Sequence, residues 1–235
     1  MNYKKALNKP IFKTICNVAD RLNYPTYVVG GWVRDLLLKR KRKIEDIDFV
    51  CVGSGIILAQ KIASKLGNNA KFKIFKRFGT AMIQYQNEYY EFVGARKESY
   101  RADSRKPIIE NGTLEDDQRR RDFTINAMAI QLNEDSYGKL IDPFNGQNDL
   151  KEKIIQTPLD PNITYIDDPL RMMRCIRFAS ELDFKIKEQS IESIKKNGER
   201  LKIISQERIT DELNKIILCD KPSKGFKLLL KTKLL

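Results

Sequence analysis

Two aspartates at positions i and i+2, Asp46 and Asp48, stand in the run Ile44-Glu45-Asp46-Ile47-Asp48-Phe49. On an extended strand this spacing sends both carboxylates to one face, with Cα atoms about 7 Å apart, and turns Ile47 and Phe49 to the other. Two carboxylates roughly 5 Å apart repel by about 3 kcal/mol at an effective dielectric of about 20, and a divalent cation converts that cost into attraction. Hard oxygen ligands of this kind suit Mg²⁺ or Mn²⁺. A bare pair is more often two solvent-facing aspartates at a strand edge, so the surroundings must decide.

Those surroundings supply a phosphate cradle. Gly30-Gly31 precede the pair by about 15 residues and open a helical pattern carrying Arg34 and Asp35. Glycines let the backbone approach a phosphate closely, a helix N-terminus offers free N–H groups, and Arg34 adds a cationic fork. An ordinary Gly-Gly turn is the plain alternative for this segment alone; joined to a metal-binding pair, it describes a nucleoside triphosphate site. A third carboxylate is expected on a neighbouring strand, near the attacking hydroxyl. Glu91 is the candidate, because a charge inside Tyr89-Tyr90-Glu91-Phe92-Val93 is otherwise a poor strand choice; a solvent-facing edge position is the alternative.

Composition narrows the chemistry further. The chain contains no histidine, which excludes a Ser-His-Asp or Cys-His mechanism, a histidine-ligated zinc and a histidine general base. Cys16, Cys51, Cys175 and Cys219 lie far apart, with no CxxC pair, and read as reduced core residues. A net charge of +13, from 44 Lys plus Arg against 31 Asp plus Glu, biases the protein towards a polyanion such as nucleic acid, although a lysine-rich composition also follows from AT-biased coding. The 235 residues with 41% hydrophobic content can bury a core. No apolar run reaches the roughly 18 residues of a membrane span and the start of the chain lacks a signal-peptide pattern, so a cytoplasmic protein is expected.

The elements that must position these residues follow from periodicity. Helices are expected over 11–22, 32–38 and 56–66, and strands over 26–29, 44–52, 71–75, 80–86 and 89–93, with a turn near Asn87. The basic run 39–43 links the second helix to the aspartate strand. Residues 95–121 are charged and turn-rich and read as a long mobile loop. A helix over 123–130, a short hairpin through Tyr137-Gly138 and a turn at 142–146 complete a head domain over 1–158. Beyond it the patterns are helical, 169–182, 188–197, 206–218 and 223–231, which gives an all-helical neck over 159–235. The apolar face of Phe226, Leu228, Leu229, Leu230, Leu234 and Leu235 is expected to be covered by further helical chain or a partner.

Five segments in order then resemble one family. Gly30-Gly31-Trp32-Val33-Arg34-Asp35 with Asp46-Ile47-Asp48, Arg120-Arg121-Asp122-Phe123-Thr124-Ile125-Asn126-Ala127-Met128, Asp142-Pro143-Phe144-Asn145-Gly146, Asp167-Asp168-Pro169-Leu170-Arg171 running on to Phe178, and Glu207-Arg208-Ile209 are similar to the bacterial class II tRNA nucleotidyltransferase and poly(A) polymerase family of the polymerase-β superfamily. The resemblance runs over about 27–218. It implies an α+β fold, a polymerase-β-like head of mixed sheet and helices followed by the helical neck. It implies that Asp46 and Asp48 bind the catalytic metals, that Gly31 and Arg34 hold the triphosphate, and that Arg121, Asp122 and Asn126 approach the triphosphate and ribose. The Asp-Asp-Pro-Leu-Arg segment matches the family's motif in which side chains replace a template, which maps base reading onto Asp168 and Arg171.

Local physics is compatible with that mapping. Asp167 or Asp168 can cap a helix, Pro169 suits its first position and Asp168 to Arg171 is an i,i+3 pair. Arg171, Arg174 and Arg177 form a basic band counted among the nucleotide-binding candidates; without the motif such a band is usually a solvated face. The chain departs from the family with Lys39 where a glycine is usual, which should alter only a turn, and with Asp167 where a glutamate is usual.

The resulting expectation is template-independent addition of C and A from CTP and ATP to the 3′ end of tRNA by a two-metal mechanism. Poly(A) addition, or partial CC or A addition, uses every motif quoted. A catalytically silent RNA-binding head is a rival from another class, against which two carboxylates facing a polyanion argue. A small-molecule nucleotidyltransferase would share the glycines and aspartates but not the Arg121 and Asp168/Arg171 motifs.

Overall fold

The structure, a computed structural model, describes residues 2–40, 46–101 and 104–235. In chain order its elements begin with α1 (Pro10–Arg21), β1 (Thr26–Val29), α2 (Gly31–Leu37), β2 (Asp46–Cys51), α3 (Gly55–Leu66), β3 (Lys71–Phe75), β4 (Thr80–Tyr85), β5 (Glu88–Gly94), β6 (Arg96–Arg101), β7 (Ser104–Asn111), α4 (Leu114–Arg119), β8 (Ala129–Gln131) and β9 (Leu140–Ile141). They continue with α5 (Gly146–Glu152), β10 (Ile154–Ile155), α6 (Pro161–Asp167), α7 (Leu170–Glu181), β11 (Lys185–Ile186), α8 (Glu188–Asn197), α9 (Gln206–Ile217) and α10 (Pro222–Thr232).

Contacts divide the chain into two units. The first comprises Met1–Lys97, Ile109–Gln118 and Asn126–Phe144, the second Glu98–Ile108, Arg119–Ile125 and Asn145–Leu235. Composition suggested a single cut after residue 158; the backbone instead groups 145–158 with the helices of the second unit. The reason is local: β10 pairs in parallel with β11, and the buried Thr124 hydroxyl donates to Asp149 while its N–H donates to the Gln156 carbonyl.

The first unit is a seven-stranded sheet in the order β3-β4-β5-β2-β1-β8-β9. β2 runs parallel to β5, and the other neighbours are antiparallel. Strand alternation sorts the side chains. Ile47 and Phe49 of β2, Tyr90 and Phe92 of β5 and Ala81 and Ile83 of β4 are buried on one face. There α1 supplies Phe12, whose ring centroid lies 6.2 Å from that of Phe49, and Phe49 stacks on Phe92 at 4.8 Å. α1 carries its apolar residues at helical spacing and begins with Pro10, which fits a first turn that lacks N–H partners. α3 is capped by Ser54, whose hydroxyl accepts the Ile57 N–H at 3.3 Å. The opposite face of the sheet carries Asp46, Asp48, Tyr89 and Glu91. Only at the far end of β2 does that face close over a second core of Tyr27, Val29, Val50, Ala95 and Ala129, against which Leu114 and Ile141 pack.

The second unit is mainly helical. α7 packs on α9 and α10, and α6 packs on α8. The two-residue strand β11 interrupts what periodicity describes as an all-helical run, and α5 and α6 are additional short helices.

Several local expectations are corrected. Residues 95–121 are not one loop: β6 and β7 pair as a two-stranded sheet and α4 comes after them, with Ala102 and Asp103 outside the described residues. The start of α4 even had a readable signal, a capping box in which Asp116 accepts the Thr113 N–H at 2.8 Å and donates its own N–H to the Thr113 hydroxyl. Residues 123–130 form a 3-10 turn over Thr124–Asn126 and then β8, not a helix. Every residue of that stretch is buried, so no periodicity could separate helix from strand. Of the expected strand 44–52 and the basic run 39–43, residues 41–45 lie outside the described residues.

Candidate active site

The first unit builds its part of the site on β2. Asp46 is exposed and Asp48 half-buried, both on the face away from Phe49. Asp48 stands in register with Glu91 of β5, and Asp46 with Tyr89, so Glu91 joins the aspartates on one face, one strand spacing of about 4.8 Å from Asp48. Among the described residues no group of three or more acidic or cysteine side chains is gathered closely enough to hold a metal ion unaided. Paired carboxylates are a donor set that Mg²⁺ or Mn²⁺ accepts, with water and substrate phosphates completing the shell, and Asp46 and Asp48 would hold such an ion.

On the other side of β2, β1 is followed by Gly30, whose φ of 74° and ψ of −139° are open almost only to glycine. Gly31 begins the short α2. The structure changes the part available to Arg34. The residue is 1% exposed, its Nε donates to Asp35 at 2.9 Å, and its Nη1 donates to the Asn126 amide oxygen at 2.9 Å. Arg34 and Asn126, 92 positions apart, are thus brought together, as an internal tie between α2 and the segment before β8. The Lys39 substitution falls where the helix ends: its φ is 56°, its N–H donates to the Leu36 carbonyl, and Arg40 donates to the Asp35 carbonyl. This is a Schellman termination, in which the left-handed position favours glycine.

The second unit holds the remaining candidates. Asp122 is buried; Oδ1 accepts its own neighbour's Phe123 N–H, and Oδ2 accepts Nε and Nη2 of Arg174 at 2.9 and 2.6 Å. The Asp122 carboxylate is the main cause that raises the Arg174 guanidinium above its already high range. Arg177 donates to Glu212 at 2.6 Å and to Glu181 at 3.0 Å. The expected arginine band is therefore neither a solvated face nor a row of free cations, because Arg174 and Arg177 are neutralised within the unit.

Glu212, 3% exposed, is the residue sequence reasoning missed here. The signal was a carboxylate on the apolar stripe of α9, between Ile209 and Ile216. Asp168 caps α7 by accepting the Leu170 N–H at 3.2 Å. Arg171, 9% exposed, spends its guanidinium on two main-chain carbonyls, Arg120 at 2.6 Å and Thr164 at 3.4 Å. The i,i+3 ion pair expected between these two side chains is not formed. Arg121 is half-buried in the same unit.

Three of the four cysteines, Cys16, Cys51 and Cys175, are buried as expected, while Cys219 is half-buried; all four are free. Among the described residues no helix is long and apolar enough to cross a membrane.

Comparison with known proteins matches two stretches of the chain to family models. Residues 26–156 match the family model of the poly A polymerase head domain, and residues 183–235 match one described as a probable RNA and SrmB- binding site of polymerase A. The A-adding tRNA nucleotidyltransferase of Aquifex aeolicus is 42% identical over 180 residues, 77% of this chain and 21% of that protein. The CCA-adding enzyme of Lactobacillus helveticus is 36% identical over 96% of this chain and 53% of its own length. The chain thus spans from about a fifth to about half of these relatives. Among solved structures, an apo form of a CCA-adding enzyme superposes with a TM-score of 0.88 at 34% identity, covering 100% of this chain and 56% of that one. A tRNA nucleotidyltransferase complexed with a primer tRNA and an incoming ATP analog gives 0.81 at 34% identity, over 94% and 61%. The α+β class, with a polymerase-β-like head built on a mixed sheet, is the fold these matches share with the chain.

Proposed function

The chain belongs to the poly A polymerase head-domain family, and from that premise we propose that it carries the catalytic residues of an RNA nucleotidyltransferase that adds C and A from CTP and ATP to the 3′ end of tRNA. The observation that carries this reading is the exposed face of β2, where Asp46 and Asp48 lie on one side of the strand with Glu91 in register beside them. Binding alone gains nothing from three carboxylates facing a polyanion; metal-assisted transfer needs them.

In this reading the 3′-hydroxyl of the RNA gives up its proton to water, its oxygen forms a bond to the α-phosphorus as the α–β bridge breaks, and pyrophosphate leaves. Mg²⁺ held by Asp46 and Asp48 would supply charge neutralisation on the phosphates and acidify the hydroxyl. Gly30 lets the backbone approach the triphosphate. Arg34 and Asn126 position the α2 turn through their buried hydrogen bond, a supporting role in place of direct contact. Asp168 and Arg171 read the base edge, and Asp122 with Arg174 and Arg177 with Glu212 hold the helix that carries Arg171. The protein acts in the cytoplasm, on soluble RNA.

A second reading, addition of the terminal A alone, is favoured by the 42% identity to an A-adding enzyme. The deciding experiment incubates the chain and Mg²⁺ with CTP or ATP and with tRNAs lacking all, two or one of the three terminal nucleotides. Incorporation of both nucleotides supports CCA addition; ATP incorporation only into the tRNA lacking its last nucleotide supports A addition. No incorporation, with metal-dependent triphosphate binding also absent, overturns the assignment.

A further inference from the structure

The register of the first unit extends the carboxylate face well beyond the carboxylates. Across the sheet, Asp48 aligns with Glu91, Met82 and Lys73, and Asp46 aligns with Tyr89, Gln84 and Lys71. In-register neighbours share a face, so Lys71 and Lys73 stand on the same side as the aspartates, three strands away, about 14 Å. The opposite rows, through Ile83 and Tyr90 and through Ala81 and Phe92, run into the core. Phe75 shares the open face, with the Lys73 ammonium 5.2 Å from its ring centroid.

We propose that this strip, from Asp46 and Asp48 across β5 and β4 to β3, holds the single-stranded 3′ end of the RNA, with backbone phosphates on Lys71 and Lys73 and a base stacked on Tyr89. The inference rests on the reading of Asp46 and Asp48 as the transfer centre.

Three features support it. Among the described residues Lys71 and Lys73 make no ion pair, nor do Lys76 and Arg77 in the next turn. Arg34, by contrast, is consumed internally. Tyr89, 36% exposed beside Asp46, offers a flat ring for a base, and cations not paired to carboxylates, with an aromatic platform, are the usual means of holding a single strand without reading its sequence. Topology then separates the substrates: Gly30 comes after β1 on one flank of β2, which leaves the β5-β4-β3 flank for the RNA. Lysines also protect an exposed sheet edge from pairing with other strands, but that role requires charge of either sign and no alignment with the carboxylates.

The test uses the whole chain and a fluorescent single-stranded RNA of about a dozen nucleotides ending in CC, with binding followed by anisotropy over a range of salt. The Lys71→Glu/Lys73→Glu double variant should bind at least about tenfold more weakly, with a log–log salt slope shallower by about 1.4. Lys71→Arg/Lys73→Arg should bind as the unaltered chain does, and Mg-ATP affinity should not change in either. Tyr89→Ala should weaken the RNA alone. The inference is overturned if the unaltered chain does not bind this RNA at low salt, if the double variant keeps its affinity and slope, or if ATP affinity falls in parallel. Binding is read without turnover, so a chain that transfers nothing but loses RNA with these lysines refutes the proposed function and not the surface; transfer with unchanged RNA binding does the reverse.

Discussion

Asp48 and Glu91 stand directly opposite one another on parallel strands β2 and β5, a pairing of two carboxylates that sheet register alone imposes. Like charges one strand spacing apart repel, and a bound divalent cation turns that repulsion into attraction, so each carboxylate is expected to serve chemistry. Asp48→Ala, like Asp46→Ala, should lower turnover by about 10³-fold or more while the chain still folds. Glu91→Gln should lose less, about 10–100-fold. Substantial turnover of either aspartate variant at saturating Mg²⁺ would contradict the assignment.

Arg34 sits in a buried knot with Asp35 and Asn126. Arg34→Ala leaves Asp35 buried beside a missing partner, which costs about 3–5 kcal/mol. Arg34→Lys should rescue little, because a point ammonium cannot serve Asp35 and Asn126 at once. Urea midpoints of the two variants check this; wild-type stability in Arg34→Ala would instead return the residue to direct triphosphate contact.

For Asp168 and Arg171 stability and selectivity must be measured together. Asp168→Ala removes the acceptor of the Leu170 N–H and should cost about 1 kcal/mol. If both side chains also read base edges, each variant loses a further 1–3 kcal/mol or so of discrimination between nucleotides. Values of kcat/KM for all four triphosphates, set against melting temperatures, separate the effects. Unchanged ratios in both variants would leave only the capping role.

Lys39 adopts a left-handed conformation at the end of α2. Lys39→Gly should raise stability by about 0.5–1 kcal/mol, since glycine takes that conformation without strain. A lower thermal midpoint would show that the lysine side chain contributes more than its backbone costs.

Burial pushes the Cys51 and Cys175 thiols up to about 12. Native protein at pH 8 should therefore alkylate at Cys219 first and leave Cys51 and Cys175 untouched until unfolded. The sign for stability comes from the raised values: the folded state keeps thiol protons that the unfolded chain gives up. Their contribution is complete below about pH 8.5 and is lost as pH rises towards 12. Urea midpoints should fall over that window, and by less in a Cys51→Ala variant.

Much of this site could be read along the chain. Two aspartates at i and i+2 share a face of any strand, Gly30 marks a backbone conformation closed to other residues, and the ordered motifs fix the family because each spacing is a local property. Strands 26–29 and 71–75 and helix 188–197 coincide with β1, β3 and α8 for the same reason. Stretch 123–130 was not legible because complete burial erases periodicity, and 95–121 was not because polarity resembles lack of structure.

The sequence by itself determined which residue types face which way within one element, since that depends only on the periods of strand and helix. Tertiary structure decided who meets whom. The partners of Arg34, Arg174 and Arg177 are Asn126, Asp122 and Glu212, tens of residues distant. Those pairings tie each arginine to a distant segment of its own unit. The alignment of Lys73 with Asp48 likewise depends on the order and register of four strands, which non-local hydrogen bonds set and no local pattern encodes.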